Sequence, residues 1–167
     1  MQKAYIALGA NLGNPVATVN DAIDALVALP SSVFLAMSSL YRTAPVGLKR
    51  QPDFINAVVA VKTHLAPREL LDALFVIEAQ FGRERTVKNA PRTLDLDLLL
   101  HGDVVMYEVG LTLPHPRMHE RAFVLAPLAE IAPDLFIPGQ GPLVEMLARC
   151  SDQRIHTLKP PMESGAE

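Results

Sequence analysis

The sequence predicts an α+β fold: a ferredoxin-like βαββαβ core with an antiparallel sheet, then an extra C-terminal hairpin and helices. Three observations carry that prediction. Apolar runs of strand and helix character follow one another as strand, helix, strand, strand, helix, strand. Of 167 residues, 50% are hydrophobic and 20% charged, enough apolar material to bury one sizeable core and too little charge for disorder. No repeat, low-complexity block or composition shift marks a second domain, so one domain over residues 1–160 is expected, with a frayed tail at 161–167.

Ala4 to Leu8 reads as the first strand, closed by a loop from Gly9 to Pro15. Pro15 and Val16 open an amphipathic helix to about Leu29, with Val19, Ile23, Leu26 and Val27 on one side, and Pro30 stops it. Val33 to Tyr41 predicts a second strand and Phe54 to Lys62 a third. The eleven residues between them, TAPVGLKRQPD, are rich in Pro, Gly and charge, a length of connection that is often functional. Pro67 suits the first turn of a second helix, whose apolar face runs through Leu70, Leu71, Leu74, Phe75, Ile77 and Phe81, and Gly82 suits its C-terminal cap. The last core strand follows a basic loop, and Gly102-Asp103 would turn it into a hairpin with Val104 to Tyr107. A helical segment over 117–131 and a short helix from Pro142 to Cys150 complete the chain.

The formal net charge of −3 argues against a general nucleic-acid or membrane-surface binder, which carries a basic field. Cys150 is the single cysteine, so no internal disulfide can form, and a reducing cytoplasm is the expected compartment. AYIALGA is too short to span a membrane.

The informative stretch is KNAPRTLDLDLL, residues 88–99. Leu94, Leu96, Leu98 and Leu100 alternate with Asp95, Asp97 and Leu99, the period of a half-buried strand, which puts the even-numbered leucines on the core and both aspartates on the other face. Residues two apart on a strand lie about 6.6 Å from each other. Carboxylates that close repel unless a cation intervenes. Arg83, Arg85, Lys88 and Arg92 stand just upstream. A D-x-D pair alone is commonly a solvated face, and arginines alone make weak surface pairs. Together they place hard oxygen ligands beside donors suited to phosphate. No Walker-type loop is present, so phosphates must be held by side chains.

The same stretch resembles the signature of the 6-hydroxymethyl-7,8-dihydropterin pyrophosphokinases of folate synthesis. GANLGN (9–14), YRTAPVG (41–47), QPDFINAV (51–58), FGRER (81–85) and LPHPRMHERAFVLAPL (113–128) agree with it in order. The resemblance covers about residues 3 to 140. It implies transfer of pyrophosphate from ATP to the hydroxymethyl group of the pterin, with two Mg2+ ions held by Asp95 and Asp97. It implies phosphate contacts from Arg83, Arg85, Arg92, His115 and Arg121, with Arg83 and Arg92 acting alongside the aspartates in catalysis. Glu78, the main chain of Leu98 and the side chain of Thr112 match positions near the nucleotide. Phe54 and Phe123 match those that sandwich the pterin, with Thr43, Ala44, Val46, Asn56 and Asp95 around its edge. Without the resemblance, Phe54 and Phe123 read as core and His115 as a turn histidine between two prolines. The chain departs from the family in having no tryptophan in its basic loop, Gly110 in place of an arginine and Pro116 in place of a tyrosine. The partners implied are small molecules, with no nucleic acid or membrane, and a monomer is expected.

Two other classes compete. A non-catalytic ferredoxin-like ligand-binding domain explains the strand order but not the aspartates beside four cations. A two-metal nuclease or nucleotidyl transferase needs a broader basic surface. The basic loop (83–93) and the 43–53 loop are expected to order over bound nucleotide.

Overall fold

The computed structural model describes residues 1–44, 51–82 and 93–158. Val46, Arg83, Arg85, Lys88, Arg92, most of the two loops expected to move, and the tail at 161–167 lie outside the described residues.

Two long apolar runs set the frame. Strands β1 (Gln2–Ala10) and β4 (Phe54–Thr63) pair antiparallel from Gln2↔Thr63 to Ala10↔Ile55. From Ala4 onward β1 is buried at every position, as a central strand covered on both faces must be. Helix α1 (Pro15–Val27) starts with Pro15 behind an Asn14 cap whose side chain accepts from Ala17 N at 3.2 Å. It ends before the expected Leu29, whose N–H instead closes a tighter, 3-10-type turn onto Leu26 O. Helix α2 (Pro67–Gln80) likewise opens on proline, and Glu69 reaches back to accept from Ala66 N at 2.8 Å. Gly82, at φ +76°, lets the chain leave it.

The α+β class and the antiparallel sheet are as expected, but three details differ. The second expected strand is two: β2 (Ser32–Met37) pairs with the far half of β4, and β3 (Tyr41–Thr43) with its near half. The serines between them explain the break. Ser38 Oγ accepts from Val58 N at 3.0 Å, and Ser39 donates from N and Oγ to Glu130, so bonds involving side chains, to β4 and α3, interrupt the ladder here.

Second, strand β5 (Asp95–His101) pairs with β1, and its register shifts where Tyr5 faces Leu100 and Ile6 faces Leu98. Leu99 is the extra residue of a bulge. Leu94, Leu96 and Leu98 therefore pack under α1 and α2, whereas Leu99 and Leu100 both join the opposite layer. The leucine alternation read from the sequence fails at Leu100, because a bulge reverses every side chain beyond it.

Third, Gly102-Asp103 does not fold a hairpin onto β5. The hairpin is β6 (Met106–Glu108) on β7 (Leu111–Leu113), turning at Val109-Gly110. The chain returns to β5 later, where His115 N donates to Leu99 O at 2.9 Å.

The other face of the sheet carries a 3-10 turn at Met118–Glu120, then helix α3 (Ala122–Ile131). Leu125 and Leu128 bury there against Val58 and Ala60. A two-residue ladder, β8 (Phe136–Ile137) with β9 (Gly141–Pro142), leads into α4 (Leu143–Arg149). A final strand, β10 (Ile155–Thr157), pairs with β3 and completes the sheet order β10-β3-β4-β1-β5, with β2 beside β4.

Candidate active site

Residues paired across adjacent strands share a face. Asp95 pairs with Gly9, Gly9 with Asn56, and Asn56 with Tyr41; one row along, Asp97 pairs with Ala7 and Ala7 with Val58. Both aspartates therefore rise from the α3 face of the sheet beside Asn56. Gly9 leaves the gap between them: a Cβ there would stand 3.0 Å from Asn56 Nδ2 and 3.9 Å from a Phe54 ring carbon. Thr43 Oγ1 donates to Asn56 Oδ1 at 2.7 Å, which fixes the amide's orientation in a buried position.

Above this floor is a cavity of about 340 Å³. Ala7, Leu8, Gly9, Thr43, Ala44, Phe54, Asn56, Asp95 and Asp97 line it from the sheet. Arg117, Glu120, Arg121, Phe123, Val124 and Gln153 close it from the 3-10 turn, α3 and the C-terminal segment. Eight residues singled out from the sequence thus meet in one wall: Thr43, Ala44, Phe54, Asn56, Asp95, Asp97, Arg121 and Phe123. The Arg121 guanidinium lies 5.5 Å from the centre of the Phe123 ring, within cation–π reach.

Four others lie outside that wall. Thr112 and His115 line a neighbouring cleft of about 290 Å³ with Tyr107, Pro114, Pro116 and Gln140. Glu78 is 2% exposed and accepts from Leu96 N at 2.7 Å, so α2 grips the main chain between the two aspartates. Leu98 is buried in the α1–α2 layer.

His115 Nε2 stands 3.9 Å from Asp97 Oδ1, too far for a hydrogen bond, and so joins the two cavities through space. Burial, and then the nearby Arg121, push its pKa down to about 4; Asp95 opposes them and Arg117 adds to them. The pair is therefore not an ion pair near neutral pH, although its geometry invites that reading. Nδ1 accepts from Arg117 N at 3.3 Å, which leaves the proton of the neutral ring on Nε2, facing Asp97. Burial and Arg117 also lower the pKa of Arg121, against Asp97, Asp95 and Glu120. A guanidinium so placed remains charged and is suited to a bidentate anion.

Residues 5–133 match the profile of the 7,8-dihydro-6-hydroxymethylpterin-pyrophosphokinase family, HPPK. The chain belongs to this family. A pyrophosphokinase of Pseudomonas aeruginosa is 46% identical over 158 residues, covering 95% of this chain and 98% of that one. One from Haemophilus influenzae is 42% identical over 160 residues, covering 96% and 100%. Both carry the name 2-amino-4-hydroxy-6-hydroxymethyldihydropteridine pyrophosphokinase. Among solved structures, an HPPK-DHPS crystal structure in complex with substrates superposes with a TM-score of 0.71 at 14% identity. That match takes in 89% of this chain but only 43% of the longer one, and it speaks for the HPPK fold alone.

The carboxylates suit the hard cation that the family implies. Among the described residues no three His, Cys, Asp or Glu side chains converge. Magnesium rarely requires that, since it is commonly held by one or two carboxylates with the rest of its shell from phosphates and water. Seven wall residues were not foreseen: Ala7, Leu8, Gly9, Arg117, Glu120, Val124 and Gln153. Gly9 had a signal, because a glycine ending an apolar strand marks close approach of something else. Gln153 had none. No helix among the described residues is long and apolar enough to cross a membrane.

Proposed function

We propose that this protein transfers the β,γ-pyrophosphoryl group of ATP to the hydroxymethyl oxygen of 6-hydroxymethyl-7,8-dihydropterin, giving the pterin diphosphate and AMP. One observation carries the reading: two strand carboxylates share a cavity wall with Arg117, Arg121 and the rings of Phe54 and Phe123. That wall offers a place for a charged phosphate chain beside a place for a flat heterocycle.

The pterin lies between Phe54 and Phe123. Asn56, held by Thr43, presents the donor and acceptor that an aminopyrimidinone edge requires, with the main chain at Ala44 and Val46 beside it. Asp95 and Asp97 would hold two Mg2+ ions, which when bound would supply positive charge against the phosphates. Arg121 and the Nε2–H of His115 face the phosphates from the described side; Arg83, Arg85 and Arg92 supply the remaining cations. Thr112 and the main chain of Leu98 flank the adenine, and Glu78 steadies β5 beneath the nucleotide.

The acceptor oxygen bonds to the β-phosphorus as the bond from that phosphorus to the α–β bridging oxygen breaks. AMP departs with the electron pair, and the hydroxyl proton passes to solvent. No covalent enzyme intermediate is needed, because positioning and charge neutralisation supply the rate. A monomer acting in the cytoplasm fits small soluble substrates and a single buried thiol at Cys150.

Mass spectrometry of a reaction holding ATP, Mg2+ and the hydroxymethyl pterin tests this. Equal amounts of AMP and pterin diphosphate are expected. ADP with a pterin monophosphate, or ligand binding without turnover, contradicts it.

A further inference from the structure

We infer that Gln153 is a positioning residue for Arg121, which makes the C-terminal segment part of the phosphate site. The inference rests on the nucleotide role proposed for Arg121. Helix α3 begins at Ala122, and its N-cap is Arg121, at φ −121° and ψ 105°, with no side-chain capping bond. The N–H groups of a first helical turn have no acceptor inside the helix, and an Asp, Ser or Thr at the cap commonly provides one. An arginine has no acceptor to give.

Gln153 supplies it from 31 residues away. Its Oε1 accepts from Ala122 N at 2.9 Å, and its Nε2 donates to Glu120 O at 2.8 Å. One side-chain amide thus holds the peptide units on both sides of Arg121, and the guanidinium leaves a clamped stretch of main chain toward Asp95 and Asp97.

Gln153 is itself fixed. Its N donates to Cys150 O at 3.0 Å, and beyond it Ile155 pairs with Thr43, another residue of the cavity wall. Residues 150–157 form a strap from α4 past the start of α3 to β3. The strap lies outside the residues 5–133 that match the family profile.

The test combines Gln153→Met, which removes both bonds at nearly constant length, with Arg121→Ala. Amide exchange at Ala122 should quicken several-fold in Gln153→Met. Its kcat/KM for ATP should fall about three- to tenfold, the equivalent of one or two modest hydrogen bonds. Added to Arg121→Ala, the same change should alter kcat/KM less than about twofold, because a residue acting through Arg121 has nothing left to position. Unchanged exchange at Ala122, or losses that simply add, overturns the inference. If Gln153→Met does not fold, Gln153→Asn, one methylene short of both partners, is read in the same way. The parent enzyme separates the two claims. No AMP from the parent contradicts the proposed reaction, whereas AMP from the parent with Gln153→Met at parental kcat/KM contradicts the role of Gln153.

Discussion

At the scale of single residues, Gly9 shows how an absent side chain makes a site. An added methyl would press on the Asn56 amide at 3.0 Å, and the amide would have to yield by a few tenths of an ångström. Gly9→Ala should therefore raise the KM for the pterin about three- to tenfold, as a hydrogen bond is misaligned. The smaller freedom that alanine loses on folding and the strain on Asn56 oppose each other, so the melting temperature should change little. Asp95→Asn and Asp97→Asn should keep the fold, because both side chains are only partly buried on the cavity face, yet lower turnover roughly a hundredfold by letting the phosphates shift. Parental rates for either at saturating magnesium would remove the metal role. Phe123→Ala should weaken the pterin more than ATP, by roughly 0.5–1.5 kcal/mol beyond the lost contact area. Equal weakening of both ligands in calorimetry would make Phe123 a core residue instead. Asp95 and Asp97 were legible in the sequence from the two-residue period of their strand, whereas Phe123 was legible only through the family motif at 113–128. Arg117 and Gln153 were not: one is an exposed charge like any other until the chain folds, and the other reaches the site only through contacts far along the chain.

At the scale of elements, the β2–β3 break and helix α3 depend on each other. Glu130, near the end of α3, accepts from Ser39 N, Ser39 Oγ and Tyr41 Oη at 2.7–2.9 Å. Burial alone would raise the Glu130 pKa, but the hydrogen bonds from Tyr41 and Ser39 outweigh it and hold the carboxyl below its ordinary value. Burial, with the hydrogen bond to Glu130, pushes Tyr41 up to about 12, so the phenol stays a donor across the working range. A carboxyl whose pKa is lower folded than unfolded adds stability above its unfolded pKa and loses it as pH falls through the folded value. Glu130→Gln should thus destabilise the protein at pH 7 by about 1 kcal/mol, after discounting for solvent exposure. The gap between variant and parent should begin to narrow below about pH 4.3, the ordinary value for glutamate, and close only once pH passes below the lowered folded value. Denaturant melts at pH 7 and pH 3 check this, and a gap that is constant with pH would show that the ionised carboxylate is not what holds Ser39 and Tyr41. The sequence could not show this break. Val33 to Tyr41 has strand composition throughout, and only the partners of Ser38 and Ser39, drawn from β4 and α3, decide where pairing stops. The bulge at Leu99 was hidden for the same reason, since strand period is blind to the neighbour's register.

At the scale of the whole molecule, the sheet divides two kinds of work. One face, under α1 and α2, is filled with aliphatic side chains and gives stability; the other meets α3 and α4 and stays open at one end, where the cavity lies. The division explains why the aspartates can be close together without weakening the core: each alternates with a leucine that anchors β5 from behind. The path of the chemistry is the central claim, and isotopic labelling tests it most directly. ATP carrying 18O in the α–β bridging position would be turned over with the pterin and magnesium, and the products weighed. Attack at the β-phosphorus leaves all the label in AMP and none in the pterin diphosphate. Label in released pyrophosphate beside a pterin–AMP adduct, or in ADP beside a pterin monophosphate, would contradict the account.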